Sequence, residues 1–233
     1  FVIGVCSILT PIMVQKATVV RDIPLSLVCA LLLLVLGISG LGDKAGMTLG
    51  HADGIIFLIV FAGYIFTMVR SAMKARAAGQ KVEIEGVEEC DNMKELSYGK
   101  SILFLIVGAA AIAFGGDLTV DTASRIAIEL GMSQTLVGLT IVSIGTSLPE
   151  LVTSVVAARK NEVDMAVGNA VGSNIFNILM VLGISSAISP VALIRENLID
   201  IVLLMVFSVM VWLFAGTRKK IERKEGIIMV VVY

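Results

Sequence analysis

The chain has 233 residues, 57% of them hydrophobic, a mean hydropathy of +0.97 and a net charge of −1. A soluble globular domain is roughly 45–50% apolar, and a near-neutral charge leaves no electrostatic footprint for nucleic acid. One histidine (His51) and three cysteines without metal spacing (Cys6, Cys29 and Cys90) argue against a His-built metal centre and a disulfide framework.

The apolar residues fall in continuous runs, not in alternation. Lipid admits only helices and closed barrels, and continuous runs select helices. The expectation is an all-α, polytopic membrane bundle. In chain order the runs predict helices near 1–14, 24–41, 54–72, 98–116, 133–158, 165–188, 194–215 and from 227 onward. That makes about eight, the outer two partial. Both terminal runs stop in mid-stride, so the chain reads as a fragment of a longer one.

Alternating the connections across the bilayer sorts the basic residues. Of the 18 Lys and Arg, all but Lys44, Arg125 and Arg195 fall on one side, which the positive-inside rule makes cytoplasmic. This places 73–97 in the cytoplasm and 117–132 in an outward connection. The acidic loop (Glu83, Glu85, Glu88, Glu89, Asp91 and Glu95) lacks EF-hand spacing and reads as a solvated linker.

A weak internal repeat is also visible. Shifting the chain places Gly4, Ser7 and Pro11 on Gly183, Ser186 and Pro190. Pro11 leads to the cytoplasmic side and Pro190 outward, so the copies are inverted, a construction common in secondary transporters. On this reading 1–72 is the remainder of a first repeat, 98–233 is the second, and the counterpart of 133–179 is missing.

One segment carries chemistry. Residues 136–150 end in Gly145-Thr146-Ser147-Leu148-Pro149-Glu150. Glu150 stands eight residues before Arg159, about 12 Å inside the cytoplasmic end and near the midplane. A carboxylate there costs at least about 2.5–3.5 kcal/mol unless something offsets it. Pro149 and Gly145 favour a broken helix, which frees main-chain carbonyls beside the hydroxyls of Thr146 and Ser147. Hard oxygens of this kind suit Ca²⁺ or Na⁺. In the next helix Ser173 and Asn177 share a face and could add two more oxygens, with Asn169 on the same stripe and Asn174 beside it. Gly168 and Gly172 form a G-x-x-x-G pair, expected to bring this helix close to that of Glu150.

The stretches Gly145-Thr-Ser-Leu-Pro-Glu150 and Gly168-Asn-x-x-Gly-Ser-Asn-Ile-Phe-Asn177 resemble the sodium/calcium exchanger family. The resemblance implies ten helices in two inverted repeats, each with one ion motif, of which the second is present here. It implies Glu150 as the principal ion carboxylate, with oxygens from Thr146, Ser147 and Ser173. Asn177 falls where some relatives carry an acid, which bears on stoichiometry. The short cytoplasmic loop points to the prokaryotic branch and a cytoplasmic membrane. The implied activity is Na⁺/Ca²⁺ antiport without a cofactor, with K⁺ an added cargo in some relatives. Ca²⁺/H⁺ exchange by the same fold is the alternative. An enzyme is disfavoured: Ser147 has no His, Lys or paired Asp at its depth.

Overall fold

The computed structural model describes residues 1–39, 47–77, 97–160, 163–218 and 220–233. The acidic cluster and Cys90 lie outside them. Six helices are long and apolar enough to cross a membrane. They are α2 (Thr18–Ser39), α3 (His51–Ala77), α4 (Tyr98–Glu129), the pair α5 (134–146) and α6 (Leu148–Arg159), α7 (163–188) and α8 (Arg195–Arg218). Two shorter helices, α1 (Val2–Leu9) and α9 (Arg223–Val232), complete the bundle. Ile102, Phe104, Leu105 and Phe114 of α4 lie exposed on its surface, an arrangement suited to hydrocarbon rather than water.

Three boundaries differ from expectation. α1 stops at Leu9 because Thr10 turns extended ahead of Pro11. α2 begins at Thr18, not near Pro24: a π-turn over Thr18–Asp22 precedes the proline. The expected outward connection from 117 is largely helix, since α4 runs to Glu129. Thr119 and Thr122 return their hydroxyls to the Gly115 and Leu118 carbonyls at 2.7 Å, so these polar residues cost the helix little. The stop comes at Gly131, at φ 91°, where Gly131 and Met132 donate to Ile128 and Ala127 carbonyls. That left-handed cap favours glycine.

Four two-residue strands also appear, unexpected in an all-α reading. β1 (Ile12–Met13) pairs antiparallel with β4 (Lys220–Ile221), and β2 (Thr48–Leu49) with β3 (Val191–Ala192). Ile12, Leu49 and Ile221 are fully buried in these clasps. The clasps sit at opposite ends of the antiparallel α2 and α8, which pack together and are tied by Trp212 Nε1 donating to the Val19 carbonyl at 2.9 Å.

The two stretches aligned in the sequence make similar contacts. α1 crosses α9, and the end of α7 crosses α3. A Cβ on Gly4 would meet Met229 and Val230, and one on Gly183 would meet Phe57 and Leu58. In return, Gly226 abuts Gly4 and Ser7, and Gly54 abuts Gly183 and Ser186. Among the described residues, both clasps and both crossings join the stretch before residue 78 to the stretch after residue 182.

Candidate ion-binding site

The helix break falls at Ser147, between α5 and α6. Ser147 (φ −92°, ψ 0°) donates its amide to the Ile144 carbonyl at 3.1 Å, a tightened turn. Pro149 has no N–H to return to the Gly145 carbonyl, so that oxygen is released from the helical ladder. α6 then starts with Pro149 in its first turn and Glu150 beside it. An acid in the first turn is favoured by the helix dipole.

Glu150 is half-buried and lines a cavity of about 430 Å³. Its Oε2 atom is buried and has no hydrogen-bond partner among the described residues. Around the same cavity stand Thr146, Ser147, Ser173, Asn174 and Asn177. The Thr146 hydroxyl donates to the Ser143 carbonyl and the Ser173 hydroxyl to the Ala170 carbonyl, both at 3.0 Å. With their protons committed to the backbone, both oxygens keep lone pairs for a cation. A π-turn opens at Asn177 and widens the helix where its amide meets the cavity. Residues from α2 and α8, Ser26, Phe207 and Ser208 among them, line other parts of the cavity.

All five expected oxygen donors therefore border one space. Asn174, next to Ser173, borders it too. Asn169 does something different. Its Nδ2 donates to the Glu150 carbonyl at 3.2 Å and to Ser154 Oγ at 3.0 Å, pinning α7 to α6 beside the acid. The expectation for Gly168 and Gly172 is corrected: a Cβ at either would meet nothing within 4 Å. α6 packs on α7 nonetheless, with the buried Ser154 hydroxyl facing the Ala166 carbonyl at 3.5 Å. Gly145 is the tight glycine, facing Val120 of α4, while Gly116 of α4 faces Pro149.

The sodium/calcium exchanger protein family model matches residues 1–70 and 100–233. The chain belongs to the sodium/calcium exchanger family. Inner membrane protein YrbG of Escherichia coli is 31% identical over 219 residues, covering 91% of this chain and 64% of that protein. Sodium/calcium exchanger MaX1 of Methanosarcina acetivorans is 36% identical over 140 residues, covering 60% of this chain and 40% of its own length. A structure of the sodium-calcium exchanger NCX_Mj superposes with a TM-score of 0.75 at 31% identity, covering 100% of this chain and 70% of its own. The exchanger is thus a multi-pass membrane transporter of the cation antiporter class, not an enzyme.

Asn169 yields a stability prediction. Asn169→Leu in the exchanger strips partners from a buried hydroxyl and from the Glu150 carbonyl, at a cost of about 1–3 kcal/mol. Thermal unfolding in detergent should show a lower Tm, and an unchanged Tm would mean that the bond contributes nothing to holding α6 on α7.

Proposed function

We propose that the exchanger carries Na⁺ inward down its gradient and Ca²⁺ outward, across the cytoplasmic membrane, through the cavity at Glu150. The observation that supports this most is the buried, unpartnered Oε2 of Glu150 on a wall of hydroxyl and amide oxygens. An orphaned carboxylate oxygen at membrane depth is costly, and a cation offsets the cost. The surrounding ligands are hard oxygens, which suit Ca²⁺ with its six to eight oxygens and also Na⁺. Glu150 would supply the charge, Thr146, Ser147 and Ser173 their hydroxyl oxygens, and Asn177 its amide oxygen. The two ions would occupy these oxygens in turn.

Alternating access would come from α4. Among the described residues it rests mainly on α5 and α6, through Gly116 against Pro149 and Val120 against Gly145. A helix so attached can slide past the site without disturbing α7. The inner-membrane location draws support from the name of the Escherichia coli relative, and the orientation from the basic residues.

The deciding experiment is radiolabelled Ca²⁺ uptake into vesicles carrying the protein as its cell makes it. We expect uptake that requires Na⁺ inside the vesicle and collapses when the Na⁺ gradient does. Uptake driven equally by a pH gradient in Na⁺-free medium would replace this reading with Ca²⁺/H⁺ exchange, Glu150 then carrying the proton. Dependence on K⁺ would add a third cargo.

A further inference from the structure

The helix that carries Ser173 and Asn177 is held from a distance. α7 is continuous over 163–188, with those two residues in its middle and Gly183 and Ser186 near its end. That end rests on α3 at Gly54. The approach is so close that a Cβ on Gly54 would come within 2.6 Å of the Gly183 carbonyl oxygen and 2.7 Å of Ser186 Oγ. A main-chain oxygen cannot swing aside as the tip of a long side chain can. The reverse contact is nearly as tight, since a Cβ on Gly183 would stand 3.2 Å from both Phe57 Cβ and Leu58 Cγ.

The same construction occurs at the other crossing. There Gly226 faces Gly4 and Ser7, and Gly4 faces Met229 and Val230. An acid precedes each abutting glycine and fixes the start of its helix. Asp53, fully buried, accepts from the Gly50 amide at 2.9 Å, and Glu225 accepts from the Glu222 amide at 2.8 Å. Both crossings thus set a Gly and a Ser of one helix against an acid–Gly pair of the other.

The geometry points to Gly54 as a positioning residue for cation binding: by seating the end of α7 on α3, it sets where Ser173 and Asn177 stand relative to Glu150. The inference rests on the exchanger reading of the cavity. The helix runs unbroken through its π-turn at Asn177–Val181, and at no more than about 1.5 Å per residue Asn177 stands within about 9 Å and Ser173 within about 15 Å of Gly183. A displacement at Gly183 is therefore carried to both oxygens. Oxygen ligands of Ca²⁺ lie at about 2.3–2.6 Å, and a binding constellation tolerates only about 0.5 Å of error. A methyl group on Gly54 exceeds that tolerance without touching the site.

The test is equilibrium binding of radiolabelled Ca²⁺ to the protein as its cell makes it, purified into lipid nanodiscs. Gly54→Ala should raise Kd about tenfold, as loss of an outer support does at metal sites, with the number of sites per folded molecule unchanged. Gly183→Ala pushes the same interface more gently and should shift Kd in the same direction by less. It also serves if Gly54→Ala fails to fold. Gly63→Ala, on the same helix but with nothing within 4 Å of its Cβ, should bind as wild type does. A lower Tm with wild-type Kd in both interface variants would overturn the positioning role and leave simple packing. A wild-type protein without saturable Ca²⁺ binding would instead overturn the exchanger reading, and the positioning role with it.

Discussion

Glu150→Gln should lower Na⁺-driven Ca²⁺ uptake by at least about 100-fold, equivalent to about 2.8 kcal/mol of lost interaction with the cation. The substitution keeps the side chain's size and removes its charge, the one formal charge among the described side chains that line the cavity. Its effect on stability should have the opposite sign. Wild-type Glu150 keeps a buried carboxylate oxygen without a partner, which costs the empty protein free energy. The neutral amide relieves most of that cost. So the variant should unfold no earlier than wild type in cation-free buffer and should lose the rise in Tm that Ca²⁺ gives wild type by mass action. Thermal scans with and without Ca²⁺, run beside the uptake assay, read both effects. Uptake at wild-type rates in the variant would show that the cation is held elsewhere.

Gly145→Ala should cut transport about tenfold or more, and Val120→Ala in the same molecule should restore most of it. A Cβ on Gly145 would collide with the Val120 side chain, its Cγ1 atom lying 3.2 Å away and Cγ2 nearer still. Val120 is β-branched and has little rotamer freedom in a helix, so the helices must part. The parting falls where, on the proposed mechanism, α4 slides along α5 and α6. Trimming Val120 removes both methyl groups that clash. A double-mutant cycle on uptake rates measures the coupling; additive losses would show that Gly145 acts through the helix break, not through α4.

The class of the molecule and the polar side chains that border the cavity are both readable from residue type and spacing. Glu150 is legible because a carboxylate inside an apolar run has no cheap structural explanation. Thr146 and Ser147 follow from lying within one turn of Glu150, and Ser173 and Asn177 from sharing a helix face. Other features were hidden for identifiable reasons. The G-x-x-x-G pattern at Gly168 and Gly172 signals close approach only if a partner helix covers that face, and here a Cβ at either would meet nothing within 4 Å. The extension of α4 past Asp117 depends on Thr hydroxyls folding back onto the backbone, which composition does not reveal. The clasps are two residues long, too short for any alternating pattern. One signal was available and missed. Asp53-Gly54 and Glu225-Gly226 each open an apolar helix, and their match was obscured because the connections before them differ in length.

The clasp between β1 and β4 and the crossing of α1 on α9 also bear on synthesis. α1 finds its partner only after about 220 further residues have been made. At roughly 5–20 residues per second, a ribosome needs about 10–45 s to deliver α9. For that interval Gly4 and Ser7 face lipid or the insertion machinery, with no helix to accept them. The crossing of α3 on α7 waits about 110 residues in the same way. Assembly therefore proceeds by late docking of helices already in the bilayer, and a nascent chain stalled before Arg223 would hold the cavity's walls without the helix that closes one side of it. Such a stalled chain is a natural substrate for membrane quality control, and that vulnerability follows from sharing every clasp between the two halves.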